Sequence, residues 1–356
     1  MKKQSLLILL VAALLVIAAV PSLAQESLIE SVCLVTDVGK VNDGTFNQFA
    51  YEGMMKAVED FNLDSTYIET QAQTDYDTNL NRCIEEGYDA IVTVGFLLAD
   101  ATRAKAAETP DVYFIGVDQF VGEDADGNPA PTNYVGLQFR EDQAGFLAGV
   151  LAAQLTESGI VGGVFGIDIP PVIKYRNGFE QGAKFINPDI KTLGVYIDSF
   201  TAPDRGASAA GQFLGEGADV IFGAGGPTGS GAITRAAQEG ALVIGVDQDE
   251  FLTTFGNGET PGAENLISSA LKRVDVAVYT AIEALVNGGE DFPGGTNLIM
   301  SAENDGVGFA EPHLAADKVS EEVIAKMEEV LAGLKDGSIV TGVDPVTGEL
   351  LPEEES

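Results

Sequence analysis

The sequence predicts an α/β protein of two lobes, each a doubly wound parallel sheet, and three observations carry the prediction. Short apolar, β-branched runs alternate along the chain with helix-patterned segments. The runs are apolar throughout instead of alternating with polar residues, as expected for parallel strands covered by helices on both faces. Nine such runs precede residue 250, too many for one open sheet of ordinary size, and one of them passes directly into a long helix.

Strands are expected at 31–37, 65–69, 90–95, 112–118, 134–139, 160–166, 193–198, 220–225 and 242–247. Helices are expected at 48–61, 76–86, 141–156, 172–185, 205–216 and 229–238, where apolar residues recur at helical spacing. The strand at 134–139 runs into its helix without the Gly-rich preface of the earlier units, which marks a first crossing between lobes. A second crossing is expected near 265–272, where a strand-like stretch leads into a helix over 273–285, and a third near 297–309. The lobes are then 28–140 with about 268–298, and 141–267 with about 299–338, joined by a three-segment hinge. Residues 344–356 hold four Glu and two Pro without a periodic apolar face and are expected to be disordered.

The N-terminus begins with Lys2 and Lys3, continues as an apolar run from Leu6 to Val20 and ends in Pro21-Ser22-Leu23-Ala24. That is the pattern of a secretion signal cleaved after Ala24, since about 15 apolar residues fall short of the roughly 20 that span a bilayer. The first cysteine, Cys33, lies inside an expected strand, so no lipidation Cys follows the leader. Cleavage leaves 332 residues and moves the formal charge from −36 to −38. Such a charge repels nucleic acid and anionic lipid. With only Cys33, Cys83 and His313 as soft ligands, zinc and copper sites lack donors. Export permits a Cys33–Cys83 disulfide, and two buried thiols are the equal alternative.

Ligands of open parallel sheets bind beyond the carboxyl ends of the strands, so polar residues that follow strands are the candidates. The first group is the loop 36–48, with Asp37, Thr45, Phe46 and Asn47. Asp43 or Thr45 can cap the following helix, whereas an aromatic at the helix entrance, Phe46, is placed to stack on a flat ligand. Asp118 ends the strand at 112–118 and can accept hydrogen bonds. Gly226 lies in the glycine loop 223–229, where backbone can approach a ligand closely. Asp247 ends the strand at 242–247 and suits a bidentate hold on hydroxyls, with Lys272 at the second crossing.

Enzyme chemistry finds no signature. The glycine loop is not G-x-G-x-x-G, no phosphate loop with Lys occurs, Gly-x-Ser-x-Gly is absent, and His313 has no evident nucleophilic partner. No catalytic residue, metal or cofactor is expected.

Several segments, in order, resemble one family: Asp37-Val-Gly-Lys-Val-Asn-Asp-Gly-Thr-Phe-Asn-Gln48, the run from Val92 to Asp100, the helix from Gln143 to Ala153, Gly225-Gly-Pro-Thr-Gly229, the strand from Val243 to Asp249, and the helix start from Lys272 to Tyr279. Together they resemble the basic membrane protein family of ABC-transporter substrate-binding proteins, across most of 28–334. The resemblance implies a type I periplasmic-binding-protein fold whose characterised members bind purine nucleosides, with a permease and an ATPase as partners. It implies that Phe46 stacks on the base, Asp118 meets the base edge, and Gly226, Asp247 and Lys272 hold the ribose. Phe222 is the implied second stacking ring, with Phe200 as its competitor. Three features depart from the pattern: no lipidation Cys, Pro227 inserted in the glycine loop, and Thr45 where some members reach the base. The expectation is a monomeric, exported nucleoside-binding component of an importer, with a sugar binder or a sensor receptor as the alternatives.

Overall fold

The computed structural model describes residues 26–124 and 127–352; the expected leader at 1–24 lies outside them. Two six-stranded sheets form the frame. The chain opens with β1 (Ser31–Val38), α1 (Phe46–Phe61), β2 (Asp64–Thr70), α2 (Tyr76–Glu85), β3 (Ala90–Val94), α3 (Ala99–Glu108), β4 (Tyr113–Val117) and β5 (Tyr134–Phe139). It continues with α4 (Glu141–Leu155), β6 (Ile160–Phe165), α5 (Pro170–Ile186), β7 (Lys191–Tyr196), α6 (Pro203–Gly215), β8 (Val220–Ala224), α7 (Gly226–Gln238), β9 (Leu242–Asp247) and β10 (Leu266–Lys272). It ends with α8 (Val274–Val286), β11 (Asn297–Met300), β12 (Val307–Phe309) and α9 (Glu321–Asp336).

The first sheet has the order β11-β5-β4-β3-β1-β2 and is parallel throughout. The second has the order β12-β10-β9-β8-β6-β7, parallel except for the β12 edge. Every residue of β3 and β8 is buried, as their unbroken apolar runs require. The chain passes between the sheets at Arg140, at Arg273 and at residues 301–306. All of β10 belongs to the second sheet, so the second crossing follows Lys272 and the boundary expected near 268 moves to 273. The two helices entered after a crossing share a device. Arg140 and Arg273 precede α4 and α8, and each makes two hydrogen bonds, of 2.7 to 2.9 Å, to an acid two residues on, Asp142 and Asp275.

Three helices begin earlier than their apolar periodicity suggests. α5, α6 and α7 each carry Pro in the first turn, where the missing N–H costs nothing and the fixed φ suits a helix. Pro227 therefore starts α7 instead of distorting the glycine loop. α3 was not among the expected helices, because its buried face consists only of Thr102 and Ala106 and offers no bulky apolar stripe. α4 and α5 pack closely: a Cβ added at Gly149 or Gly182 would lie 2.0 Å from a backbone carbonyl of the facing helix.

Two further expectations change. Of the tail expected at 344–356, residues 344–352 form a turn, in which Asp344 N donates to Glu349 O and Asn177 Nδ2 in α5 donates to Gly348 O at 2.7 Å, and 353–356 lie outside the described residues. The polar composition there is that of a tight turn, which composition alone does not distinguish from disorder. Cys33 on β1 and Cys83 on α2 are joined as a disulfide, which settles the open alternative.

Candidate ligand-binding site between the lobes

The strand ends of both sheets converge on a cavity between the lobes. Two of its acids sit in equivalent places. Asp118 follows β4 and Asp247 ends β9, and both adopt left-handed backbone, with φ of 61° and 65°. Such a conformation costs a non-glycine residue free energy, and it turns each side chain off its strand into the space between the lobes. Gly225 and Gly226 make the corresponding bend after β8, with φ of 143° and 58°. A Cβ at Gly225 would lie 2.4 Å from Gly166 N, so the bend requires glycine.

The first lobe contributes Asp37, Phe46, Asn47, Phe96 and Asp118 to the wall, and the second contributes Tyr175, Phe200, Gly226, Asp247 and Lys272. Asp43 caps α1: its carboxylate accepts from the backbone N–H groups of Thr45, Asn47 and Gln48. Asn47 ties that cap to the strand end, donating from Nδ2 to Asp43 at 2.9 Å and accepting from Asp37 N at 3.1 Å. Asp37 accepts from Tyr76 OH on α2. Lys272 Nζ lies 2.7 Å from Asp118 Oδ2 and 4.8 Å from the ring centroid of Phe46. Asp118 Oδ1 is buried without a partner, and Tyr175 OH donates to Asp247 Oδ1 at 3.0 Å.

Burial sets the protonation of the acids. It pushes the carboxyl of Asp118 up to about 7 against the pull of Lys272. It raises Asp247 and Asp37 to about 6, with Lys272 opposing it at Asp247 and the Tyr76 hydrogen bond opposing it at Asp37. The two lobes also touch at the cavity rim. Thr253 Oγ1 donates to Gly44 O at 2.7 Å and Gln248 Nε2 to Thr45 O at 3.2 Å, so the lobes are closed on one another.

Of the residues expected from sequence, Asp37, Phe46, Asn47, Asp118, Gly226, Asp247 and Lys272 line the cavity. Phe222 does not. It is fully buried in β8, with Phe179 at 5.2 Å and Phe165 and Tyr175 at 6.0 Å between ring centroids, because its position on the strand points it into the core. The competing ring, Phe200, takes the wall position. Thr45 is buried outside the lining, its hydroxyl without a partner. Phe96 was missed although it follows β3, where the strand-end rule applies. Tyr175 lies within a helix and carries no such signal.

Two sheets with a cavity between them, closed by lobe contact and lined by rings, acids and a lysine, define a two-lobed solute-binding protein of the type I periplasmic-binding-protein fold. The chain belongs to the family of PnrA-like ABC transporter substrate-binding proteins, which it matches over residues 30–335. It is 30% identical over 319 residues to the ABC transporter nucleoside-binding protein BmpA of Lactococcus lactis, covering 86% of this chain and 87% of that one. It is 31% identical over 307 residues to basic membrane protein A of Borreliella burgdorferi, covering 85% of each. Among solved structures it is similar to an ABC transporter solute-binding protein of Aeropyrum pernix, with a TM-score of 0.73, 26% identity and coverage of 91% and 94%. Proteins of this family act as solute-binding components of ABC transporters, outside the cytoplasm or at the cell surface. No helix among the described residues is long and apolar enough to cross a membrane.

Proposed function

We propose that the cavity takes a nucleoside, a purine nucleoside first, and that the protein delivers it as a monomer to the permease and ATPase of an importer after export and removal of its leader at Ala24. The observation that carries this reading is the pairing of rings with charged groups in one cavity. Phe46 and Phe200 come from different lobes and share the cavity with Asp247, Lys272 and Asp118, whose Oδ1 has no partner. Flat apolar faces suit a base, an acid acceptor suits its ring or amine N–H, and a carboxylate with an ammonium suits vicinal hydroxyls. The Lactococcus lactis relative described as nucleoside-binding supports the same class of ligand. Lobe closure around the ligand buries it and presents the transporter with the closed arrangement of the lobes.

A thermal-shift screen of the mature chain against nucleosides, free bases and sugars tests the reading, since a ligand bound only by the folded state raises the unfolding midpoint. A nucleoside is expected to give the largest shift. A shift from a sugar and none from any nucleoside overturns the proposal.

A further inference from the structure

Glu141 is the first residue of α4, one position past the first crossing, and it is fully buried. Neither oxygen has a hydroxyl, amide or backbone N–H partner. Each faces an ammonium instead: Oε2 lies 2.5 Å from Lys174 Nζ, and Oε1 lies 2.9 Å from Lys272 Nζ. Lys174, on α5 and 2% exposed, also donates to Phe139 O at 2.8 Å. Phe139 ends β5, so one lysine grips both sides of the crossing at Arg140. Lys272 lines the ligand cavity, whereas Glu141 and Lys174 do not.

A buried carboxylate without conventional hydrogen bonds is a costly way to gain stability, because desolvation offsets much of the ion-pair attraction. What the arrangement accomplishes is geometric. The lysine side chain is a flexible stem carrying three donors, and ordering it costs conformational entropy. Here Lys272 is held from both sides, by Asp118 at 2.7 Å and Glu141 at 2.9 Å, above the rings of Phe46 and Phe139, each with its centroid at 4.8 Å. One donor is hydrogen-bonded to Asp118 and the Glu141 carboxylate pairs with the ammonium beside it, which leaves donor capacity on Lys272 for a ligand. The same arrangement occupies Asp118 Oδ2 and leaves Oδ1 as the open acceptor.

We propose that Glu141, braced by Lys174, is a positioning residue for ligand binding, holding the Lys272 ammonium so that its remaining donor capacity and Asp118 Oδ1 serve the ligand. The brace straddles the first crossing, so this arrangement is tied to the hinge. The choice of probe below rests on the nucleoside reading; the first measurement does not.

The test uses the mature chain as wild type, Glu141→Gln and Lys174→Met. In the ligand-free protein, the side-chain ammonium resonance of Lys272 is followed by NMR and assigned with Lys272→Met. It is expected to shift or broaden away in Glu141→Gln and in Lys174→Met. Calorimetry then compares inosine with 2′,3′-dideoxyinosine. Inosine affinity is expected to fall about tenfold or more in Glu141→Gln, and dideoxyinosine affinity far less, because the lost group acts through Lys272 and the hydroxyls it holds. An unmoved Lys272 resonance in both variants overturns the proposal, as does an equal loss for both nucleosides, the result of a merely loosened fold. If Glu141→Gln does not fold, Lys174→Met decides alone. Wild type that binds neither of these, nor any nucleoside of the thermal-shift screen, sinks the nucleoside reading and leaves the ammonium resonance to decide this one.

Discussion

The Lys272 ammonium, at the last residue of β10, lies 2.7 Å from Asp118 Oδ2, beyond the end of β4 in the other lobe. This ion pair joins the lobes at the wall of the interlobe cavity, and both partners are almost wholly buried. Removing the lysine leaves Asp118 and Glu141 without their shared counter-charge. Lys272→Met is therefore expected to cost about 3–5 kcal/mol of stability in the ligand-free protein at neutral pH, as well as ligand affinity. Denaturant unfolding measures the first and calorimetry the second. A stability change below about 1 kcal/mol means that the pair contributes nothing net.

Phe46 and Phe222 separate binding from folding. Phe46 is half-buried on the cavity wall, so Phe46→Ala should lower nucleoside affinity by about 1–3 kcal/mol, the range for one stacked base. Phe222 is locked among Phe165, Tyr175 and Phe179, so Phe222→Ala should cost about 3–5 kcal/mol of stability. Paired calorimetry and unfolding on the two variants check this. Affinity unchanged in Phe46→Ala refutes the assigned pocket.

Acidification from pH 8 to 5 should stabilise the ligand-free protein. Burial raises Asp37 and Asp247 to about 6, and Asp118 and Glu250 to about 7. Each of these carboxyls binds more protons folded than unfolded between its ordinary value and its raised one. Its contribution is present at low pH and lost as pH rises through about 6–7. Each raised group contributes on the order of 1–3 kcal/mol over this interval, and the summed gain is read from unfolding at constant ionic strength. Glu250 lies outside the cavity, accepting from Ser230, Thr254 and Val246 N, so Glu250→Gln should remove its share of the slope. A midpoint that falls on acidification across this interval contradicts the assignment. Glu141 behaves oppositely: burial favours its neutral form, but Lys174 and Lys272 together hold it below its ordinary value, so its stabilisation persists through the window.

Reduction of the disulfide should weaken the first lobe. Cys33 and Cys83 are 50 positions apart, and closing a loop of that length is worth about 4 kcal/mol in the chain-entropy treatment. Denaturant midpoints with and without reductant measure it. Coincident curves, with reduction confirmed by thiol labelling, refute a stabilising role.

The sequence by itself determined the α/β class, both lobes and the strand ends around which the cavity forms, because burial on two faces leaves an unbroken apolar run and an acid ending such a run has few other places to sit. Asp118 and Asp247 were legible for that reason, and Phe46 as the aromatic at the entrance of α1. Only the tertiary structure decided between Phe200 and Phe222, since one strand supplies side chains to both faces and composition does not say which faces the cavity. It also decided the disulfide, which depends on β1 and α2 packing together, and placed β10 wholly in the second sheet. Lys174 and Glu141 lie 33 positions apart on different helices, so their meeting at the hinge is a property of the fold that no local pattern expresses.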